Sequence, residues 1–320
     1  FLIFYIGYKF WSLKVGMLAS FLTIFSTGSI QASHFGTFES FLTLMYLLIF
    51  LLSLVFIKRD KLLYFFLSAI GIGLTSAVKI NSVIIFAISF FLLIVYSKQK
   101  KIPFHKTFFY TFISVIILIF LTILLSPYYT TLDFKNLFIY EKNLLTGSLP
   151  VFYTEEFFNT TPIIYQFLHV FPFLINPVLT VIFIPSLLYQ AYGGLKTKNM
   201  LSIMLLLFFL VIFLPSALLF AKWTRYIVPA LPFVYLIIAI ALVDFLKRKV
   251  LHVKYFVLSI IITANVISAA SYFITAFVRQ DSRIEAGLWA KEYIPGNVNI
   301  ISEIYDLGIT PFNQYFPNIT

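Results

Sequence analysis

The chain contains no cysteine, which excludes disulfide bonds, thiol catalysis and thiolate metal sites. Charged residues are also scarce: they make up 11% of the 320 residues, against about 25% in an ordinary soluble domain. With 61% hydrophobic residues, a soluble domain of this length could not cover its apolar surface with so little polar material. The sequence also shows no internal repeat, nucleotide-binding glycine loop or signal peptide. These absences point away from soluble enzymes and secreted disulfide-bonded domains.

What the sequence has instead is a series of apolar runs, most of them about 15 to 20 residues long. A helix of ~20 apolar residues crosses the ~30 Å hydrocarbon core of a membrane. The runs therefore predict an all-α polytopic membrane protein with about nine transmembrane helices. The predicted spans are 15–33, 41–57, 62–77, 82–96, 107–126, 170–191, 201–220, 227–245 and 255–277.

The breaks between these runs predict the orientation. Five of them together hold 15 of the 23 Lys and Arg residues but only Asp60 and Asp244 of the 12 acidic ones. The net charge of +11 thus reflects the excess of Lys and Arg in cytoplasmic loops rather than nucleic-acid binding. We expect a multi-pass protein of the cell membrane, in contact with lipid and not with nucleic acid. The remaining breaks are then extracytoplasmic: 34–40, 77–81, 127–162, 221–226 and 278–320.

Two regions carry more detailed expectations. The runs 62–77 and 82–96 are short, so we predict a hairpin with its tip near Lys79, and the glycines at 71 and 73 indicate helix packing. The run 133–145 predicts a helix lying on the membrane surface. Its lipid-facing side chains would be Phe134, Leu137, Phe138 and Leu145.

The chain changes character near its end. We predict a multi-span domain over 1–277 and the beginning of an outer α/β domain over 278–320. Ile284, Leu288 and Ile294 are spaced as in an amphipathic helix, and 298–304 has the pattern of a strand.

The loop between the first two spans places His34 and Glu39 five residues apart. A carboxylate at this depth is costly unless it meets a cation, a metal or a hydrogen-bond donor. Glu39 and His34 could therefore bind a metal or make polar contacts to a substrate. Alternatively, Glu39 stabilises the start of the next helix, where the dipole favours an anion.

Two groups of cations lie on the same predicted face. Lys79 either binds a phosphate or extends to the lipid headgroups. The turn Lys222-Trp223-Thr224-Arg225-Tyr226 is either an aromatic belt with interfacial bases or a phosphate site. We favour the phosphate site, because basic residues are few on this face and the Arg side chain offers a planar fork to phosphate.

At these residues the chain resembles the GT-C superfamily of membrane glycosyltransferases. Its closest branch contains the protein O-mannosyltransferases and the aminoarabinose transferase of lipid A. The first similarity is Ser-His-Phe-Gly-Thr-Phe-Glu at 33–39, where that family has Asp in place of Glu. The second is the Gly-rich helix 71–79 ending in Lys79, and the third is Arg-Tyr followed by a Leu/Pro-rich span at 225–232. The segment 288–295 is similar to the helix that opens the outer domain in these relatives.

The resemblance implies transfer of a sugar from a polyprenyl-phosphate carrier to a protein, lipid or glycan acceptor on the extracytoplasmic face. It assigns Lys79, Arg225 and Tyr226 to the carrier phosphate, with Lys222 as a further cation. It places Glu39 and His34 on the metal or acceptor side. A divalent ion, Mg²⁺ or Mn²⁺, is the one cofactor it suggests. The catalytic carboxylate of the family lies in an earlier outer loop, so we expect the base upstream of Phe1 and no catalytic base within this chain.

Other classes of membrane protein that act on glycans share parts of this pattern. A flippase or transporter of lipid-linked glycans also gathers charge in a membrane cavity, but such proteins usually contain repeats. An O-antigen polymerase or ligase typically has a large Arg-rich outer loop, and this chain has no Arg between Arg59 and Arg225. The glycosyltransferase is therefore the favoured hypothesis.

Overall fold

A computed structural model of the protein describes residues 1–248, 251–280, 282–295 and 298. Regular structure in these residues is helical, and no strand occurs among them. The helices are α1 (Leu2–Phe10), α2 (Leu13–Ile24), α3 (Thr27–His34), α4 (Phe38–Arg59), α5 (Leu62–Val78), α6 (Phe86–Gln99), α7 (Phe104–Leu125), α8 (Leu132–Thr146), α9 (Phe171–Leu174), α10 (Pro177–Thr197), α11 (Met200–Leu218), α12 (Leu231–Arg248), α13 (Leu251–Phe273) and α14 (Ser282–Tyr293).

The helices confirm a multi-pass, all-α membrane protein. Within the described ranges, seven helical stretches are long and apolar enough to cross a membrane: 38–59, 80–99, 104–125, 177–197, 200–218, 224–247 and 252–278. The pair α2 and α3 has the required apolar length but bends by 54° at its break, and α5 is apolar but shorter. Each of the nine predicted spans thus corresponds to a helix or a bent helix pair.

Two predicted spans differ from the observed helices, and in both a capping residue marks the start of the observed helix. The first is interrupted before Ser26, whose hydroxyl accepts from the Ser29 backbone N–H at 3.1 Å and starts α3. The run predicted from 170 starts its long helix only at Pro177. Asn176 has a φ of +74° there, and its side chain accepts from the Leu179 N–H at 2.9 Å. A proline suits the first position of a helix, so the Asn-Pro pair fixes this start.

The core of the bundle lies around the first half of α12. Its residues from Leu231 to Ala239 are almost completely buried. The Phe233 ring packs 5.3 Å from the ring of Phe50 on α4 and 5.6 Å from the ring of Phe208 on α11. These contacts hold α4, α11 and α12 together, and the site described below is formed where α4 and α12 begin.

The opposite end of the bundle, here the basic end, gathers several of the Lys/Arg-rich breaks. The Lys58 ammonium donates to the Lys9 carbonyl at 3.4 Å, and Lys100 pairs with Asp60 at 2.6 Å. Asp60 and Met200 line one small cavity there. Three of the predicted cytoplasmic breaks therefore meet at one end, together with the start of α11.

The chain forms two compact units, 1–268 and 269–320. The described part of the second unit comprises the end of α13, a π-helical turn at Ile274–Val278 and α14. The rings of Phe273 and Phe277 stack at 5.1 Å. The predicted amphipathic helix is present as α14. The predicted strand at 298–304 falls almost entirely outside the described residues, and the structure gives no support for an outer α/β domain.

Candidate functional site

A cavity of about 340 Å³ lies where the tip of the α5–α6 hairpin meets α8, α11 and the turn before α12. One part of its wall is polar and is formed by Lys79, Asn81, Glu141, Lys142 and Tyr226. The other part is apolar and includes Ile84, Ile85, Val211, Ile212, Pro215 and Leu219. A charged mouth leading into an apolar slot suits a ligand with an ionic head and a hydrocarbon tail.

Lys79 is positioned by the close packing of α5. A Cβ on Gly73 would lie 3.2 Å from the Leu118 carbonyl oxygen of α7, and one on Gly71 would lie 3.0 Å from Ile49 of α4. The two glycines therefore let α5 fit between its neighbours, as predicted. The helix ends at Val78, and a 3₁₀ segment, Ile80–Ile85, leads into α6. The predicted hairpin with its tip at Lys79 is confirmed.

The ammonium of Lys79 lies among groups from two other segments, the start of α4 and the turn before α12. Its Nζ is 3.9 Å from Oε1 of Glu39, which belongs to the first turn of α4. The same Nζ lies 4.2 Å from the ring centroid of Tyr226 and 5.1 Å from that of Phe38. The Lys79 side chain is 26% exposed, so its charge contacts protein groups inside the bundle. Sequence reasoning placed loop 34–40, turn 222–226 and Lys79 in one cavity, and their contacts agree with it.

Glu39 is the most deeply buried charge in this cluster. Its side chain is 1% exposed, and neither carboxylate oxygen has a hydrogen-bond partner among the described residues. Glu39 lies in the first turn of α4, near the positive end of the helix dipole. This is the placement expected if Glu39 stabilises the start of that helix, one of the two roles considered for it from the sequence. It makes no capping hydrogen bond, however. Glu39 is paired with Lys79 at 3.9 Å and is not among the residues that line the cavity.

Arg225 adds a second cation beside the same aromatic ring. Its guanidinium carbon lies 5.4 Å from the ring centroid of Tyr226 and 5.4 Å from that of Trp223. The Arg225 side chain is exposed, whereas Tyr226 is half-buried and lines the cavity. Tyr226 therefore has Lys79 and Arg225 against its ring, which brings two positive charges to the polar part of the cavity.

The surroundings of Lys79 lower its affinity for a proton. Lys79 occupies the junction between α5 and the next span and belongs to neither helix. Burial is the main cause that lowers the pKa of Lys79, Glu39 and Glu141 raise it, Arg225 lowers it, and the net result is a pKa of about 8. The ammonium form therefore depends on the acidic neighbours, and a bound anion would strengthen it.

Lys222 lies in a different environment, although it is only three residues from Arg225. Its side chain is 3% exposed, and its ammonium donates to the Thr160 hydroxyl at 2.9 Å and to the Phe220 carbonyl at 3.0 Å. The rings of Phe157, Tyr165 and Phe220 each lie 5.8 Å away. This aromatic cage lowers the pKa of Lys222 by burial. Lys222 is not among the residues that line the cavity.

The apolar face of helix α8 borders the cavity. The predicted surface helix is present, but Phe134, Leu137, Phe138 and Leu145 all line the cavity. The end of α8 is attached to the turn before α12, because the N–H groups of Phe220 and Ala221 both donate to the Leu145 carbonyl, at 3.0 and 3.3 Å. Leu137 is 44% exposed and Phe138 48% exposed, so the expectation that these four side chains face lipid stays a prediction.

Sequence reasoning did not identify Asn81, Glu141 and Lys142 as site residues. Glu141 and Lys142 lie within one helical turn of Leu137 and Leu145, so they share the face that the apolar residues of α8 turn toward the cavity. The signal was present in the sequence, but it was assigned to the membrane surface.

His34 ends α3 and is exposed, with its ring 5.0 Å from that of Phe35. No group of three or more His, Asp or Glu residues that could hold a metal occurs in the part of the chain that the structure describes. A divalent ion at Glu39 and His34 therefore stays a prediction. We derive no chemical step through a metal.

Searches of protein-family models, of curated proteins and of solved structures found no match to this chain.

Proposed function

We propose that this chain belongs to a GT-C-like membrane glycosyltransferase, which moves a sugar from a polyprenyl-phosphate carrier to an acceptor on the extracytoplasmic face. The observation that carries the proposal is the cavity in which Lys79 and Tyr226 border a slot with apolar walls. A polyprenyl phosphate has the matching form, since an anionic headgroup is joined directly to a branched hydrocarbon chain.

In this proposal the polar part of the cavity binds the phosphate. Lys79 and Arg225 both approach the Tyr226 ring, so the headgroup enters a region that already contains two positive charges. When the sugar leaves, negative charge grows on the phosphate, and cations that are already in place stabilise this charge without reorganisation. Arg225 offers two parallel donors to phosphate oxygens, whereas Lys79 offers a point charge.

The apolar part of the cavity provides for the carrier chain. Side chains from the 80–85 segment and from α11 form facing walls, with α8 above them. At about 340 Å³ the cavity is near the lower limit for small-ligand sites, so it holds the headgroup and the first isoprene units. The rest of the carrier extends into the membrane.

The proposed reaction is substitution with inversion at the anomeric carbon. An acceptor hydroxyl attacks this carbon, the bond from the carbon to the phosphate oxygen breaks, and the hydroxyl proton passes to a carboxylate base. Polyprenyl phosphate leaves with the bonding electron pair. In this scheme Lys79, Arg225 and Tyr226 bind the leaving group, and Glu39 contacts Lys79 or the acceptor. The resemblance places the base in an earlier outer loop of the family, and Glu39 is not assigned that role.

The location of the basic breaks supports the proposed face. Lys9, Lys58 and Lys100 lie at the basic end, whereas the cavity lies at the end where α4 begins. Lys- and Arg-rich ends of membrane proteins face the cytoplasm, so the cavity is assigned to the outer side.

Transfer measured with the purified protein in liposomes tests the proposal. Radiolabelled sugar should pass from a polyprenyl-phosphate donor into membrane material of the source cells, and Arg225→Ala should lower the rate by about 100-fold, the usual scale for one preorganised donor. Arg225→Lys should restore part of the rate, because it keeps the charge and loses the fork. Labelled carrier that crosses the membrane without losing its sugar would instead indicate a transporter.

A further inference from the structure

A second large groove lies between α10, α12 and α13, away from the proposed catalytic cavity. It has a volume of about 470 Å³ and is bordered by Ile182, Pro185, Ser186, Ala241, Leu242 and Val257. Pro185 lies inside α10, where a proline removes one backbone hydrogen bond and bends the helix. Pro185 is one of the residues that border the groove from α10.

One end of the groove is polar. Asp244, which also borders the groove, accepts hydrogen bonds from Lys247 Nζ at 2.7 Å and from the Tyr189 hydroxyl at 3.3 Å. The Lys247 side chain is 67% exposed, so its ammonium can also reach a ligand at the groove. The pairing of Asp244 with the basic run at 247–249 was predicted from the sequence, and the contact with Lys247 confirms it.

The groove opens toward the basic end of the bundle. Helix α12 begins close to Tyr226 in the proposed catalytic cavity, and its 18 residues carry the chain ~27 Å along the helix axis. Asp244 and Lys247 therefore lie near the other end. The sequence adds several cations in the adjoining breaks: Lys196, Lys198, Arg248, Lys249 and Lys254.

We propose that this groove is a binding site for an anionic phospholipid of the inner leaflet. One acyl chain fills the space between α10, α12 and α13, and the phosphate lies beside Lys247. Two observations identify the occupant. The walls are mostly apolar over about two helical turns, which suits part of a hydrocarbon chain, and the adjoining charge is strongly positive, which favours an anionic over a zwitterionic headgroup. The proposal does not depend on the glycosyltransferase function, because the groove shares no lining residue with the catalytic cavity.

The lipid is expected to act as a brace for the three helices. The groove borders residues of α10 and α12 on one side and Val257 of α13 on the other. A lipid that binds only to the folded state raises the stability of that state, by an amount that grows with the logarithm of the lipid concentration.

Native mass spectrometry and thermal unfolding in detergent test the site, with dioleoyl phosphatidylglycerol and dioleoyl phosphatidylcholine as probes. We expect phosphatidylglycerol to bind about tenfold more tightly and to raise the unfolding temperature. Lys247→Gln should weaken phosphatidylglycerol binding by about fivefold, the value of one cation near a headgroup, without changing phosphatidylcholine binding. Lys106→Gln is the matched control, because Lys106 is an exposed cation on α7, which does not border the groove.

A second set of variants tests the apolar walls of the groove. Ala241→Phe places a large side chain from α12 in the groove. This variant should lose binding of both lipids while keeping an unfolding temperature, in the absence of added lipid, at least equal to that of the parent chain. If Ala241→Phe fails to fold, Ala241→Leu provides the same comparison with a smaller side chain. Equal losses for Lys247→Gln and Lys106→Gln, or unchanged lipid binding in the groove-filling variants, would overturn the proposal.

Discussion

Nζ of Lys79 lies 3.9 Å from Oε1 of Glu39, which precedes it by 40 residues in the chain and belongs to the first turn of α4. The separation is longer than a hydrogen bond, so the two charges attract each other without being locked together. Lys79 can therefore turn toward a phosphate without breaking a short bond. Lys79 therefore remains available to bind an anion in the cavity.

We expect the two charges to depend on each other for stability. Lys79→Met should destabilise the fold, because it leaves the buried Glu39 carboxylate without a counter-charge. Glu39→Gln should cost less, since Lys79 remains partly exposed and retains the Tyr226 ring. The double variant should be more stable than the sum of the single changes by about 1 to 2 kcal/mol, as for other residues in contact. Unfolding of all four proteins in the same detergent gives this coupling, and strictly additive effects would show that the pair is not an energetic unit.

Binding of the carrier phosphate should weaken above pH 8. The pKa of Lys79 is lowered to about 8, so the ammonium loses its proton as the pH rises through that value rather than near its usual 10.5. The phosphate itself is almost fully ionised above pH 7, so its charge stays nearly constant in this range. Lys79→Arg should keep its charge to far higher pH and should flatten the decline. Titrations of polyprenyl phosphate between pH 7 and 9.5 check this. Identical pH profiles for the parent protein and Lys79→Arg would show that deprotonation of Lys79 does not cause the weaker binding.

Gly147 should be required for the attachment of α8 over the cavity. Its φ is +79°, and a Cβ added there would lie 2.8 Å from Cγ of Phe220. Gly147→Ala should therefore cost about 1 to 3 kcal/mol and weaken carrier binding by displacing α8. Gly193→Ala is the control: this helical glycine has no atom within 4 Å of the added Cβ, so the change should stabilise the fold by about 0.5 to 1 kcal/mol. Equal effects of the two alanines would mean that the Gly147–Phe220 contact does not hold α8.

Cysteine labelling checks the predicted topology, and the absence of native cysteine makes it unambiguous. Single cysteines near Glu39, Tyr153 and Asp306 should react with a membrane-impermeant reagent from outside. Cysteines near Lys100 and Lys249 should react only after the membrane is permeabilised, which gives the reagent access to the cytoplasmic side. Labelling of the Lys100 region from outside would invert the map and place the cavity on the cytoplasmic side.

Much of the architecture could be predicted because membranes impose a simple rule on sequence. Apolar length gave the spans, and the short runs on both sides of Lys79 gave the hairpin. Loop parity placed Glu39, Lys79 and Tyr226 on one face, and the structure brings them into contact.

The rest depended on tertiary neighbours that no sequence spacing specifies. Lys222 and Arg225 belong to the same short turn, but Lys222 is enclosed by rings from 157, 165 and 220, and Arg225 is exposed. Helix α8 was predicted as amphipathic, and only the position of α11 and of the 80–85 segment determines that its apolar face covers a cavity. The break at Asn176 was visible in the Asn-Pro pair but was outweighed by the apolar run around it.

Direct binding of the carrier is the measurement that tests the central claim, and Trp223 provides the signal. The chain has three tryptophans, and Trp223 lies 5.4 Å from the guanidinium of Arg225, so changing Trp11 and Trp289 to Phe leaves one reporter at the site. Decaprenyl phosphate should change its fluorescence with an affinity at least tenfold higher than that of decaprenol, which lacks the phosphate. Arg225→Ala and Lys79→Met should each weaken phosphate binding by about tenfold or more, the scale for losing a charged hydrogen bond. Lys222→Met should change it by less than about twofold, because that ammonium is already bound to Thr160 and Phe220. Equal affinity for decaprenol and decaprenyl phosphate, or a larger loss from Lys222→Met than from Arg225→Ala, would contradict the account.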